Sequence, residues 1–226
     1  MPSVKIPRKS TATDMTPFVD VAFLILAFFM LATKFKPDEV VQITTPKSVS
    51  ADKLTEENAV HVNFGPDGRV FFSLSVKSPD AQAEIKTNVI QAVNQRRNLG
   101  LTSQHIENFK RNTTIGVPFN ELKGFLSLSD EQRNNYKFKG VPTDSTDNEL
   151  AEWIGAAKST FYTYDKNMKV LYMIKGDNNA KYPDFNGVLE AMRKNDQYSF
   201  KLITDPHDAP VGSALYVQRQ KELAGD

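Results

Sequence analysis

The sequence predicts an α+β protein: a single N-terminal transmembrane helix followed by a mixed α/β domain with a helical insertion. Three observations carry that expectation. Met15 to Ala32 reads MTPFVDVAFLILAFFMLA, with Asp20 its only charge, and roughly 18 to 20 such residues span a hydrocarbon core. Residues 59–76 alternate in the manner of a hairpin, and 168–204 read as strand, helix and strand. Between these lie segments of helical periodicity, giving strands at both ends and helical material in the middle.

Taken in order, residues 1–14 are short, basic and rich in Ser and Thr, and form an arm ahead of the helix at 15–33. A cleaved signal peptide is the competing reading, with Lys5, Arg8 and Lys9 as its basic region. Asp20 is out of place in such a segment, and Leu31-Ala32-Thr33 followed by Lys34 is a poor cleavage site, so an uncleaved anchor is expected. Lys5, Arg8 and Lys9 on one flank balance Lys34, Lys36 and Lys47 on the other. The α-amino group tips the N-terminus towards the cytoplasm, and a following domain of this length translocates whatever its charge. Residues 34–58 read as a linker, with a short strand in the β-branched run Val40 to Thr45 between Pro37 and Pro46.

The domain proper is expected over 59–226, with its insertion at about 79–166. Ala59 to Phe64 alternates, Gly65-Pro66-Asp67-Gly68 is turn chemistry, and Arg69 to Val76 resumes as a strand. Ser78-Pro79-Asp80 opens a helix with Ile85, Val89 and Val93 on one face and Gly100 after its end. Short helices follow at 104–110 and 120–128. A capping box at Thr146-x-x-Glu149 opens a helix carrying Leu150, Trp153, Ile154 and Ala157 on one side. Met168 to Ile174 is a strand. Pro183-Asp184 begins a helix burying Phe185, Val188, Leu189 and Met192, and Tyr198 to Ile203 is the last strand. Residues 205–226 are polar and expected to be loosely held.

Composition excludes more than it assigns. A formal charge of +1 gives no electrostatic argument for nucleic acid. The chain has no cysteine, which removes disulfides, thiolate metal sites and cysteine nucleophiles, and suits an oxidising compartment such as the periplasm. His61, His105 and His207 are too scattered for a metal site, and His61 is expected to point outward from its strand. Gly65 to Gly68 is a turn and not a phosphate loop. Phe161-Tyr162-Thr163-Tyr164 reads as a helix end packing on the sheet. Arg96-Arg97 and Lys137-Phe138-Lys139 read as solvated surface first, and as peptidoglycan or partner contacts second. No nucleophile, base and acid set emerges, so no enzyme is expected, and no metal or organic cofactor.

Asp20 carries the functional argument. A charge near the bilayer centre costs about 2.5 to 3.5 kcal/mol on insertion scales. A helix serving only as an anchor gains nothing from that cost, so a proton or ion relay is the default reading, against a shallow carboxylate that simply reaches water. Helical spacing sets Thr16, Asp20, Leu24, Ala27 and Leu31 on one stripe. Thr16 lies one turn before Asp20, within reach of its carboxylate, and Ala27 permits close helix approach. One carboxylate on one helix makes no pathway, so an obligate partner belongs to this reading. A solitary carboxylate with few oxygen ligands nearby favours protons over sodium.

Asp14-Met-Thr-Pro-Phe-Val-Asp20, followed by an apolar run ending in Phe28-Phe29-Met30, resembles the ExbD/TolR family of proton-motive-force transducers. Val41-Gln-Ile-Thr-Thr-Pro46 is similar to that family's short extended linker motif, which marks Val41, Ile43 and Pro46 as linker or partner contacts. The hairpin and the terminal strand, helix and strand match the order of elements in its small periplasmic domain. Residues 79–166 have no counterpart in the compact members. The resemblance implies that Asp20 is the protonatable residue, on an inner-membrane protein with a cytoplasmic N-terminus and a periplasmic domain. It also implies a pair of such helices inside a pentameric ring of an ExbB/TolQ-like channel protein, driving a TonB- or TolA-like transducer. The alternatives are a TolR-like envelope-maintenance subunit and a membrane-tethered domain that binds peptidoglycan or a partner without moving protons. A homodimer is expected, because the run 40–45 offers a strand edge to a second copy.

Overall fold

The computed structural model describes residues 15–32, 42–49, 57–112, 114–144, 146–207, 210–214, 216, 217 and 220. The chain divides into two compact units, Met1–Glu39 and Val40–Asp226. The first contains helix α1 (Thr16–Ala32), 17 residues long, or about 26 Å at 1.5 Å per residue. Among the described residues no helix is long and apolar enough to cross a membrane.

The second unit is built on a five-stranded mixed sheet. Its elements begin with β1 (Lys47–Ser48), β2 (Asn58–Phe64), β3 (Val70–Val76), α2 (Pro79–Arg97), α3 (Ser103–Arg111) and β4 (Thr114–Ile115). They continue with α4 (Phe119–Ser127), α5 (Asp130–Asn134), α6 (Glu149–Tyr164), β5 (Leu171–Gly176), α7 (Tyr182–Arg193), β6 (Lys201–Ile203) and β7 (Asp205–Pro206). The sheet order is β4-β3-β2-β5-β6, and β1 pairs separately with β7. β2 runs antiparallel to β3, with Val62 opposite Phe72, and parallel to β5, with Val62 beside Ile174. The hairpin turns where expected, with Gly65 N–H donating to the Arg69 carbonyl and Gly68 at φ 77°.

Alternation sets the core. Val60, Val62 and Phe64 share a face with Val70, Phe72 and Leu74 across the hairpin, and all six are buried. On α2 the i, i+4 stripe Ile85, Val89 and Val93 is fully buried against them. The helices of 79–164 therefore join the same core as the sheet. Trp153 of α6 lies at its centre, its ring 5.4 Å from Phe72, 5.7 Å from Phe109 and 5.5 Å from Phe119. One side chain thus joins β3, α3, α4 and α6. Its indole N–H is buried and has no partner among the described residues.

Two polar groups tie the helices together inside this core. The buried Lys86 ammonium of α2 donates to the carbonyls of Lys110 and Asn112 at the end of α3, at 3.1 and 2.8 Å. Burial lowers its pKa. Glu149 is buried and accepts the Phe119 N–H at 2.7 Å. Burial raises its pKa, and that hydrogen bond opposes the rise.

Several local expectations are corrected. Asn148, not Thr146, caps α6, its side chain accepting from Ala151 N–H at 3.0 Å, which leaves Glu149 free to cap α4 instead. β5 starts at Leu171 rather than Met168, because Asp165 holds a turn through Asn167 N–H and Met168 N–H. β6 starts at Lys201 rather than Tyr198. In the linker, Gln42 to Pro46 is not a strand; the strand falls on Lys47–Ser48, where Asp205–Pro206 supplies the partner. That pairing also gives order to residues expected to be loose.

Trp153→Ala should lower the unfolding free energy of a 42–226 fragment by about 3 to 5 kcal/mol, the usual cost of emptying a large aromatic site. Urea titration followed by far-ultraviolet circular dichroism measures it; a loss below 1 kcal/mol would deny Trp153 this central place.

Candidate functional site

Helix α1 places Thr16 and Asp20 one turn apart on one stripe, with Leu24, Ala27 and Leu31 continuing it. Pro17 in the first turn suits a helix start, where its missing N–H is no loss. Asp20 is exposed on the isolated helix, and so are the surrounding apolar side chains, with Phe18 at 68%, Phe23 at 65% and Phe28 at 67%. An exposed apolar run of this size marks a surface suited to lipid or a protein partner.

The linker motif is placed at the other unit. Val41 lies outside the described residues, whereas Ile43 and Pro46 are half-buried and Thr45 is buried. Asp177, just past β5, accepts the Thr44 N–H at 2.8 Å. Asn178 N–H donates back to the Thr44 carbonyl at 2.8 Å. Thr45 donates its hydroxyl to Asp205 at 2.5 Å. Asp205 N–H bonds the Pro46 carbonyl and His207 N–H the Ser48 carbonyl. The segment 44–48 is therefore a strap across the carboxyl ends of β5 and β6. The Asn179 and Thr44 N–H groups hold the Asp177 carboxyl below the usual range.

Beside the strap lies a groove of about 290 Å³, walled by Pro46, Phe64, Gly176, Lys181, Phe185 and Leu202. Phe64 and Phe185 stack at 5.8 Å to form its floor. Gly176 is needed there, since a Cβ would come within 2.2 Å of the Phe64 ring. Tyr182 stands exposed at the mouth. The carboxyl ends of parallel strands are the usual place for such a crevice.

The other candidates have structural duties. His61 sits on the face opposite the main core and bonds Ser75 at 2.9 Å, while His105 closes a capping box with Thr102 and meets Ser127. Among the described residues no cluster fit to hold a metal occurs. Arg97 is engaged by Glu152 and Asp147 and lies over the Phe119 ring, and Lys139 pairs with Glu121, so these basic residues are not spare charge. The two acids raise the Arg97 pKa. Phe161 is buried, as a helix end packed inward requires, while Tyr162 is exposed.

Sequence reasoning missed Asp177 and Asp205. Asp177-Asn178-Asn179 is readable as turn chemistry, but nothing local indicates that its partner is Thr44, 133 residues away.

A family model described as "Biopolymer transport protein ExbD/TolR" matches residues 7–207. The chain belongs to the ExbD/TolR family. No curated protein and no solved structure matches it. The family consists of energy-transducing subunits of biopolymer transport, generally anchored in the inner membrane, that work with ExbB/TolQ and TonB/TolA-type partners. Asp20, Thr16 and the strap all fall within the ExbD/TolR match.

Gly176→Ala should destabilise the domain by about 1 to 3 kcal/mol, because the added methyl must displace the Phe64 ring. Chemical denaturation that finds the variant unchanged would show that the floor of the groove yields freely.

The Asp177 contribution has a defined pH dependence. Its folded pKa lies below the unfolded value, so the stabilisation is complete above the usual aspartate value of about 3.9 and disappears as pH falls through the folded one. The difference in melting temperature between wild type and Asp177→Ala should shrink on acidification below about pH 4. A difference constant down to pH 2 would contradict that linkage.

Proposed function

We propose that the chain is an inner-membrane motor subunit coupling the proton motive force to a periplasm-spanning transducer of the TonB type. The observation that carries this reading is Asp20, the one acid on an apolar helix whose side chains have no cover of their own, in a member of the ExbD/TolR family. In this reading the helix crosses the membrane at 15–33. The arm 1–14 is cytoplasmic, and the domain following the linker is periplasmic.

Asp20 binds and releases the proton, and Thr16, one turn away, supports the path. When protonated, the helix carries no charge in its apolar run and moves cheaply past a partner surface. When ionised, it must face a polar, hydrated one. Alternation between these states converts proton entry into movement. Each elementary charge crossing 100 mV supplies about 2.3 kcal/mol. Ala27 on the same stripe lets a second helix approach closely. A homodimer of the chain within a pentameric ExbB/TolQ-like ring, with a TonB- or TolA-like transducer beyond it, satisfies these needs. No chemistry is asked of the domain, so the protein is not an enzyme and needs no cofactor besides protons.

Asp20→Asn tests the proposal, because Asn is nearly isosteric and does not titrate. Membrane insertion and protein level should be unchanged, while gradient-driven activity in cells should fall to background. Asp20→Glu should keep part of it. Full activity of Asp20→Asn would leave the helix an anchor and favour a tethered binding domain.

A further inference from the structure

We propose that a single halide-class anion, such as chloride, binds inside the domain between Lys86 of α2 and Asn112 at the end of α3. The inference is independent of the motor reading. Lys86 and Asn112 line a pocket of about 10 Å³ whose walls include Phe72, Phe109 and Ile115. That is room for about one water-sized sphere, so only a monatomic ion or a single water fits.

The polar groups here are short of acceptors. An ammonium carries three donors, and Lys86 uses two of them on the carbonyls of Lys110 and Asn112. Asn112 is engaged at every polar atom but one. Its N–H bonds back into α3, its carbonyl accepts from Lys86, and its Oδ1 accepts from Arg133 Nη1 at 3.1 Å. The Arg133 contact fixes which way the amide is turned. The group left over is Nδ2, which is buried and has no partner among the described residues.

Charge points the same way as the donor count. Lys86 and Arg133, both buried, meet on Asn112, and no acid is among the described residues lining the pocket. The carbonyls at the end of α3 offer the ammonium partial charges only. A buried cation without a full counter-charge is costly. A halide accepts from both spare donors, brings no hydrogens of its own and supplies the missing charge. A water accepts as well, but adds two donors where acceptors are already short. An anion at this place also opposes the fall in pKa that burial imposes on Lys86. Because the pocket lies between α2, α3 and β3, the ion fastens the 79–164 helices to the sheet.

The chain carries its own reporter. Trp153 is the single tryptophan, and it stacks on Phe72 and Phe109, two walls of the pocket. Urea unfolding of the full chain in mild detergent, followed by tryptophan fluorescence, is measured as sodium chloride or bromide replaces sodium gluconate at constant ionic strength. Gluconate is too large for the pocket. Above the dissociation constant, each tenfold rise in halide should lower the unfolding equilibrium constant about tenfold, as one bound ion requires. Asn112→Asp places a carboxylate beside the ammonium and should abolish that dependence, as should Lys86→Met. Crystals of the wild-type protein soaked in bromide should show one anomalous peak between Lys86 Nζ and Asn112 Nδ2. Equal stability in halide and gluconate, with no such peak, would mean a water and overturn the proposal. A halide dependence undiminished in both variants would overturn it too, by placing the ion elsewhere.

Discussion

β2 is paired on both edges, antiparallel to β3 and parallel to β5, and most of the domain follows from that double pairing. An antiparallel neighbour needs only the turn at Gly65 to Gly68. A parallel strand that comes next in the chain, as β6 follows β5, cannot be reached by a turn, so α7 carries the chain back across the sheet. β3 ends at the same end of the sheet where β5 begins, and the connection between them contains α2 to α6. That long connection covers one face of the sheet, and Trp153 is where its helices meet β3. The parallel strands β2, β5 and β6 end on the same edge, which is where the strap docks and the groove forms.

The polar contacts follow the same division. Inside the long β3–β5 connection, Lys86 and Glu149 satisfy backbone groups at helix ends that would otherwise be buried and unpaired. Each of these is well removed from solvent and costly to break. At the strand ends, Asp177 and Asp205 hold a segment with little apolar surface of its own. The core is thus held by buried apolar packing, and the strap by polar contacts at the strand ends.

The parts of this fold that were legible in the sequence are those whose physics is local. The hairpin at 59–76 follows from alternation and turn residues, and the α2 stripe of Ile85, Val89 and Val93 from a 3.6-residue period. The α6 stripe of Leu150, Trp153, Ile154 and Ala157 follows from the same period, although its cap was misplaced. Thr146 and Glu149 have the right spacing, but tertiary structure gave Glu149 to Phe119 and the cap to Asn148. The linker shows the limit most clearly. Val40 to Thr45 has the β-branched composition of a strand, yet its described part, Gln42 to Thr45, is not one, and a strand forms at Lys47–Ser48, where β7 pairs with it. Asp177 is unreadable for the same reason, since its role depends on a partner far away in the chain. Asp20 is the reverse case. Its meaning comes from an apolar neighbourhood visible in eighteen consecutive letters, and not from any contact within the domain.

Whether that carboxylate belongs to a motor is decided by the company the chain keeps in the membrane. The most direct measurement is purification of the full-length protein from its native membrane in mild detergent, followed by native mass spectrometry. The account predicts a complex containing more than one copy of this chain and a ring of a multi-span channel protein. It further predicts that zero-length crosslinking joins that protein to the α1 segment around Asp20. A chain recovered alone, with α1 crosslinked to no other polypeptide, would contradict it.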